Sequence, residues 1–346
     1  MNQKKLLWEV VFLLVVFGGT LYGVFHGQDL GRNLEIIRDV QMIYLLPAVL
    51  CVIFFIWGES IIIYYLMRTL HFRLKKWKCF LFSSVGFFFS CITPSASGGQ
   101  PMQVLYMNRE NIPVPVATLV LMVVTITYKA VLVLVGLGIG LFGRSFQQTY
   151  LTDILPVFYL GIFLNVICVG ALLILVFHTT LAESMLRKGL MLLERIHILK
   201  YDPERHENLT NAMEKYRETA AYFKTHHLVI VNVLLITFLQ RFALFLSTYF
   251  VYRAFGLSGV PMMTILLLQA TISVAVDMLP LPGGMGISEK LFLTIFLPVF
   301  GAKLLLPGMI LSRGLSYYTE LLLSAALTVV AHFTLGRDNG KERAGR

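Results

Sequence analysis

Apolar residues run in long stretches along this chain, and polar positions collect between them. Runs of about 20 residues suffice to cross a bilayer. The pattern predicts spans over 6–25, 43–66, 114–142, 154–177, 228–254 and 305–333. Two further apolar segments, 79–108 and 261–300, are interrupted. The first contains Thr93-Pro94-Ser95-Ala96-Ser97-Gly98-Gly99-Gln100-Pro101, the second Leu279-Pro280-Leu281-Pro282-Gly283-Gly284-Met285-Gly286. Proline removes a backbone donor and clashes with the preceding turn, and glycine is a poor helix former. Each segment therefore reads as a re-entrant hairpin or a pair of half-helices. Residues 261–279 alone are just long enough to cross, which would make a kinked span instead.

Broken backbone at membrane depth is tolerated only where protein buries it or water fills a cavity. Paired breaks in the two halves of a chain are the strongest sequence pointer to a transporter's binding site. The predicted fold class is therefore an all-α integral membrane protein. It is a polytopic helix bundle of about six full spans plus two broken helical hairpins, in the arrangement expected of an inverted repeat. Residues 1–335 form one transmembrane domain, with 178–227 as a cytoplasmic amphipathic helical insertion and 336–346 as a basic tail.

Composition agrees. Of 346 residues, 57% are hydrophobic and 14% charged, against about 25% charged in soluble domains. The net charge of +10 would suggest nucleic acid in a soluble protein. Here the positives lie between spans, so orientation and anionic lipid explain them and no nucleic-acid partner is expected. Cys51, Cys79, Cys91 and Cys168 lie in or beside apolar runs and read as small buried hydrophobes. No cofactor and no metal is expected: the histidines lack paired ligand spacing, and no G-x-x-x-x-G-K-[ST] loop occurs.

The positive-inside rule sets a consistent topology with both termini cytoplasmic. Loop 26–42 falls outside. Arg68, Arg73, Lys75, Lys76 and Lys78 fall inside, with Trp77 as an interface anchor, and read as a patch that gathers anionic lipid. The first hairpin returns inside near Arg109, and the loop after 114–142 carries only Arg144. Within 181–224, Leu186, Leu190, Leu193 and Ile196 recur at helical spacing. Asp202-Pro203 starts a second helix, continued by Met213, Tyr216, Ala220 and Phe223. This apolar face either lies on the membrane or packs within the pair and its neighbouring loops.

Charges inside the apolar segments are expensive, at roughly 2.5–3.5 kcal/mol each at mid-bilayer on insertion scales. Glu59, Lys129, Arg241, Asp277, Glu289, Arg313 and Glu320 qualify, with Lys290 as a further candidate. Lys129 and Arg241 sit near the middle of their spans, whereas Glu59 lies closer to the inner end, within snorkelling reach. Arg313, Tyr317 and Glu320 share one helix face. Asp277 precedes the second break, and Glu289 sits in the first turn after it, where the helix dipole favours a carboxylate. Such charges either fix helix packing as ion pairs or line a hydrated cavity for a charged ligand. The exposed half-helix N-termini add N–H donors for an anion such as phosphate: Ser95, Ser97, Gly98, Gly99 and Gln100, then Gly283, Gly284, Met285, Gly286 and Ser288.

The sequences T-P-S-A-S-G-G-Q-P-M-Q and L-P-L-P-G-G-M-G-I-S-E resemble the membrane domain of the lysylphosphatidylglycerol synthase/flippase family, and the resemblance covers nearly the whole chain. Two-module members join this domain to a soluble aminoacyltransferase that moves lysine from lysyl-tRNA to phosphatidylglycerol. Their membrane domain is held to translocate the product outward, which lowers negative surface charge and resists cationic antimicrobial peptides. This chain departs from that pattern. Only Leu335 to Arg346 follow the last predicted span, so the catalytic module is expected to be absent. The resemblance implies binding roles for Pro94, Ser97, Gly98, Gly99, Gln100, Pro282, Gly283, Gly284, Gly286 and Glu289. The depth argument adds Lys129, Arg241, Asp277, Arg313, Tyr317 and Glu320.

The leading expectation is a lipid translocase-like protein of a bacterial-type cell membrane, with anionic or aminoacylated phospholipid headgroups as partners. One alternative is a phosphatidylglycerol lysyltransferase acting alone or with a soluble partner. Another is a membrane scaffold.

Overall fold

The computed structural model describes residues 30–196 and 201–336. The span expected at 6–25 and the basic tail beyond Gly336 lie outside the described residues. Within them the chain is helical and no strand occurs. The elements are α1 (Leu30–Arg38), α2 (Leu45–Thr69), α3 (Lys76–Ile92), α4 (Gly99–Arg109), α5 (Val114–Phe142), α6 (Leu155–Phe177), α7 (Thr179–Arg195), α8 (Pro203–Thr225), α9 (His227–Ala254), α10 (Met262–Val276), α11 (Ile287–Ile295), α12 (Leu297–Arg313) and α13 (Thr319–Thr334).

A helix satisfies its backbone polar groups within one segment and without help from solvent, so apolar runs of this length wind as helices. Among the described residues, five helical segments are long and apolar enough to cross a membrane: Met42–Thr69, Val114–Phe142, Arg144–Phe177, His227–Ala254 and Leu297–Thr334. They coincide with the expected spans from 43–66 onward. Prolines mark starts: Pro115, Pro156, Pro203 and Pro298 each sit in a first turn, where the missing N–H costs nothing. Two connections read as loops are helical. α1 occupies part of 26–42 and packs on α12, and short turns fill 144–154 ahead of α6. Their signal in the sequence is weak because tertiary contact stabilises them.

Both interrupted segments are helix–break–helix units. In each break an extended residue, Thr93 or Leu281, leads into a 3-10 turn opened by proline, Pro94–Ala96 or Pro282–Gly284. The helix then resumes at Gly99 and at Ile287. Left-handed backbone occurs in both, at Ala96 (φ 55°) and at Gly283, Gly284 and Gly286 (φ 55°, 66° and 83°). The two breaks touch each other. Around them α2 packs along α9, α3 along α13, and α5 against both α9 and α10. A π-helical turn, Gly314–Tyr318, joins α12 to α13. Gly301, with φ 68° and ψ 161°, interrupts α12 near its start.

Two large apolar cores result. One gathers α2 to α5 with α8, around residues such as Leu66, Phe82, Leu119 and Phe223. The other gathers α6, α9, α10 and α11, around Phe158, Phe245, Leu268 and Phe292. The residues between these cores form the candidate site.

Candidate functional site

A cavity of about 500 Å³ lies where the two breaks meet, with walls from α2 to α6, α9 to α13 and both breaks. Its volume falls within the roughly 300–1,000 Å³ of small-molecule sites. The apolar part of the wall comes from both cores, Leu121 from one and Phe245 and Ile272 from the other. The polar part brings together most of the charges that the sequence placed at membrane depth.

Two ion pairs fasten the second break. Lys129 Nζ on α5 donates to Asp277 Oδ2 at 2.5 Å, and the Tyr128 hydroxyl donates to Asp277 Oδ1. Arg313 Nε donates to Glu289 Oε1 at 2.8 Å, and Arg313 Nη2 donates to the Gly283 carbonyl at 3.1 Å. Glu289 also closes the N-terminus of α11, accepting the Gly286 N–H at 2.7 Å and the Ser288 hydroxyl at 3.1 Å. The first break is tethered from α12–α13 by the Tyr317 hydroxyl, which donates to the Cys91 carbonyl at 3.0 Å. Each break is thus held by a long helix of the other half.

Three charges remain outside these pairs. Arg241 stacks its guanidinium on the Tyr128 ring at 3.4 Å and lies 4.8 Å from the Phe55 ring centroid. It has no ion pair among the described residues, and its Nε is buried without an acceptor. Glu59 accepts from the Gln103 amide at 2.7 Å. Glu320 accepts from the Cys91 thiol at 3.6 Å. Neither carboxylate has an ion-pair partner among the described residues. Buried polar groups are normally satisfied, so the orphaned Nε sets Arg241 apart from the paired charges of the cavity wall. Cation–π contact orients Arg241 without using its hydrogen-bond donors.

Of the residues expected at the site, Ser97, Gln100, Lys129, Arg241, Asp277, Gly283, Gly284, Arg313, Tyr317 and Glu320 line the cavity. Pro94, Gly98, Gly99, Pro282, Gly286 and Glu289 do not line it and serve the wall instead. The prolines open the turns. Gly99 allows α4 to meet α3: a Cβ there would lie 2.7 Å from the Gly86 carbonyl oxygen. The backbone cradle expected at the breaks is largely closed. The N–H groups of Ser97, Gly98, Gly284 and Met285 are bonded within the breaks, and that of Gly286 to Glu289 of α11. Side chains, not amides, therefore supply most of the cavity's polarity. Gln100 donates to Thr125 and is held against α5.

Two corrections follow from packing. Glu59, placed by sequence within snorkelling reach of the inner end, instead faces the cavity. Lys78 does not belong to the exposed basic patch, because its Nζ lies 2.5 Å from Glu110 Oε2. Arg68, Arg73, Lys75 and Lys76 are exposed. Gln103, Tyr128, Gln240 and Gln269 also line the site, and the sequence pattern does not single them out. Their signal was a polar group within an apolar run, weaker than a charge but of the same kind.

A family model described as the lysylphosphatidylglycerol synthase TM region matches residues 7–324. No curated protein matches the chain.

Proposed function

The chain belongs to the lysylphosphatidylglycerol synthase transmembrane-region family, and from that premise we propose that it moves phospholipid headgroups between leaflets. The substrates are anionic or aminoacylated phospholipids of the lysylphosphatidylglycerol type. The observation that carries this reading is Arg241, a guanidinium that lines the cavity, stacks on Tyr128 and makes no ion pair among the described residues. A phosphodiester supplies the missing counter-charge, and charge-assisted bonds to it are the strong kind. Glu59 and Glu320 balance Arg241 in the empty cavity and accept an amino group when the lipid carries one. The acyl chains stay in the membrane while the headgroup crosses.

In this mechanism the tethers form the gates. Tyr317 to Cys91 holds the first break, and Tyr128 with Lys129 to Asp277 holds the second. Releasing one tether opens the cavity toward one leaflet while the other break stays shut, the alternating access that paired broken helices permit. The exposed Arg68, Arg73, Lys75 and Lys76 gather anionic lipid at the cytoplasmic leaflet, with both termini on that side of a cell membrane. Outward movement of an aminoacylated lipid lowers the outer negative charge, which links the protein to resistance against cationic peptides.

The test is leaflet exchange in proteoliposomes that contain this protein alone. Headgroup-labelled phosphatidylglycerol and its lysyl derivative are followed by membrane-impermeant quenching, with phosphatidylcholine as control. Faster exchange of either anionic or lysylated lipid than in empty vesicles is expected. Exchange at the empty-vesicle rate for both lipids would overturn the proposal.

A further inference from the structure

The helical pair α7–α8 lies away from the cavity, and its amphipathicity points the wrong way for a helix in water. On α7 and its C-terminal cap, Leu181, Met185, Leu192 and Ile196 form one stripe, widened by Leu186 and Leu193. All six are between 38% and 57% exposed. The polar face is the one turned inward. Arg187 donates to Thr210 of α8 at 3.1 Å, Arg217 of α8 pairs with Glu183, and His206 of α8 meets Glu194 at 3.1 Å. The apolar row of α8 offers α7 no cover, because Met213, Tyr216, Ala220 and Phe223 are buried in the core that α8 shares with α5. The Tyr216 hydroxyl donates to the Leu175 carbonyl at 3.1 Å.

We infer that α7 is a membrane-surface helix, seated in the headgroup layer and binding anionic lipid through Lys188 and Arg195. Continuity favours lipid over a protein partner. Exposed apolar residues of α6, Leu173, Ile174 and Phe177, lead directly to Leu181 and Met185. Only His178 separates the two helices. The lipid-facing belt of a spanning helix thus passes onto α7 without a gap. Charge favours an anionic leaflet. Both carboxylates of α7, Glu183 and Glu194, are engaged by α8. Lys188 and Arg195, seven residues apart at the edge of the stripe, are exposed and have no ion pair among the described residues. Interfacial helices combine an apolar face in the acyl boundary with flanking cations at the phosphates. Two such cations favour the seated state by roughly 30-fold in an anionic leaflet over a neutral one. Because α8 bridges α7 to α5, which carries Tyr128 and Lys129, a seated α7 braces one wall of the cavity.

The experiment uses the full chain in nanodiscs of phosphatidylcholine, with and without phosphatidylglycerol. An environment-sensitive dye is placed at Leu192→Cys on the stripe or at Asn211→Cys on the exposed side of α8, in a background whose four native cysteines are serine. At Leu192→Cys the dye is expected to be quenched by lipid-borne nitroxide and shielded from iodide, with the opposite pattern at Asn211→Cys. Phosphatidylglycerol deepens the first dye, and Lys188→Gln with Arg195→Gln removes that deepening. The unaltered protein provides a second readout: deuterium uptake across 181–195 falls when phosphatidylglycerol is present. Iodide access at Leu192→Cys equal to that at Asn211→Cys overturns the inference. So does shielding that appears only in discs holding two copies, since the cover is then a second chain. Seating and uptake that ignore phosphatidylglycerol overturn the role of Lys188 and Arg195.

Discussion

Replacing Lys129 with methionine isolates one of the two buried pairs. Lys129 and Asp277 are 2.5 Å apart, and each side chain keeps only 10% of its surface exposed. Removing one partner of such a pair strands a charge, at a cost of about 3–5 kcal/mol. Asp277 would keep one donor, the Tyr128 hydroxyl, which places the loss at the low end. A carboxyl can also shed its charge by taking a proton. From an ordinary aspartate value that costs about 4 kcal/mol at pH 7, which caps the loss. The expected destabilisation is therefore about 3 kcal/mol, a change of roughly 100-fold or more in the folded-to-unfolded ratio. The assay is reversible unfolding in mixed micelles titrated with dodecyl sulfate and followed by circular dichroism. Combining Lys129→Met with Asp277→Asn removes both charges and keeps an acceptor for Tyr128. That double variant should recover all but about 1 kcal/mol. A single variant within about 1 kcal/mol of the parent protein would mean that the pair is solvated rather than buried. A double variant no better than the single one would exclude a stranded carboxylate as the cause of the loss.

Gly161→Ala would place a Cβ 2.3 Å from the Val274 carbonyl oxygen and 2.8 Å from Ala275 Cα. Both obstacles are backbone, so α6 and α10 must part, at about 1–3 kcal/mol; an unchanged Tm in detergent would contradict that packing. Gly283→Ala meets the Tyr317 ring at 2.1 Å and forces a side chain into left-handed backbone, which alone costs about 1–2 kcal/mol. A lowered Tm is expected there too, with Gly170→Ala, where a Cβ meets open space, as the neutral control. Asp202 caps α8 by accepting the Glu204 N–H at 3.1 Å, so Asp202→Ala should cost about 1 kcal/mol locally. Faster deuterium uptake at the start of α8 would register it, with lipid exchange unchanged.

The sequence exposed what membrane physics makes costly. Long apolar runs marked α2, α5, α6 and α9 to within a few residues, and proline with glycine marked both breaks. Lys129, Arg241, Asp277, Arg313 and Glu320 stood out because a charge in an apolar run demands a partner. Which partner was hidden, since pairing depends on helix contacts far apart in the chain. Lys129 meets Asp277 only because α5 packs against α10. Glu59 looked peripheral by position within α2, yet α4 brings Gln103 to it. Neutral residues such as Gln240, which donates to the Phe55 carbonyl at 2.7 Å, carry too small an insertion penalty to be conspicuous. The apolar row on α8 was legible as a pattern, but its destination against α5 was not. Spacing gives a face, and only packing gives its neighbour.

If a headgroup crosses at Arg241, leaflet exchange by Arg241→Met must fall below that of the unaltered protein. Both are reconstituted at matched density, with folding checked by circular dichroism. One charge-assisted hydrogen bond to phosphate contributes about 1.5–3 kcal/mol. If that bond forms during passage, its loss slows exchange by roughly 10- to 150-fold. The expected result is a folded, inserted variant whose lipid exchange falls at least tenfold, by the same arithmetic. Exchange within about twofold of the unaltered protein, a difference below 0.5 kcal/mol, would contradict it.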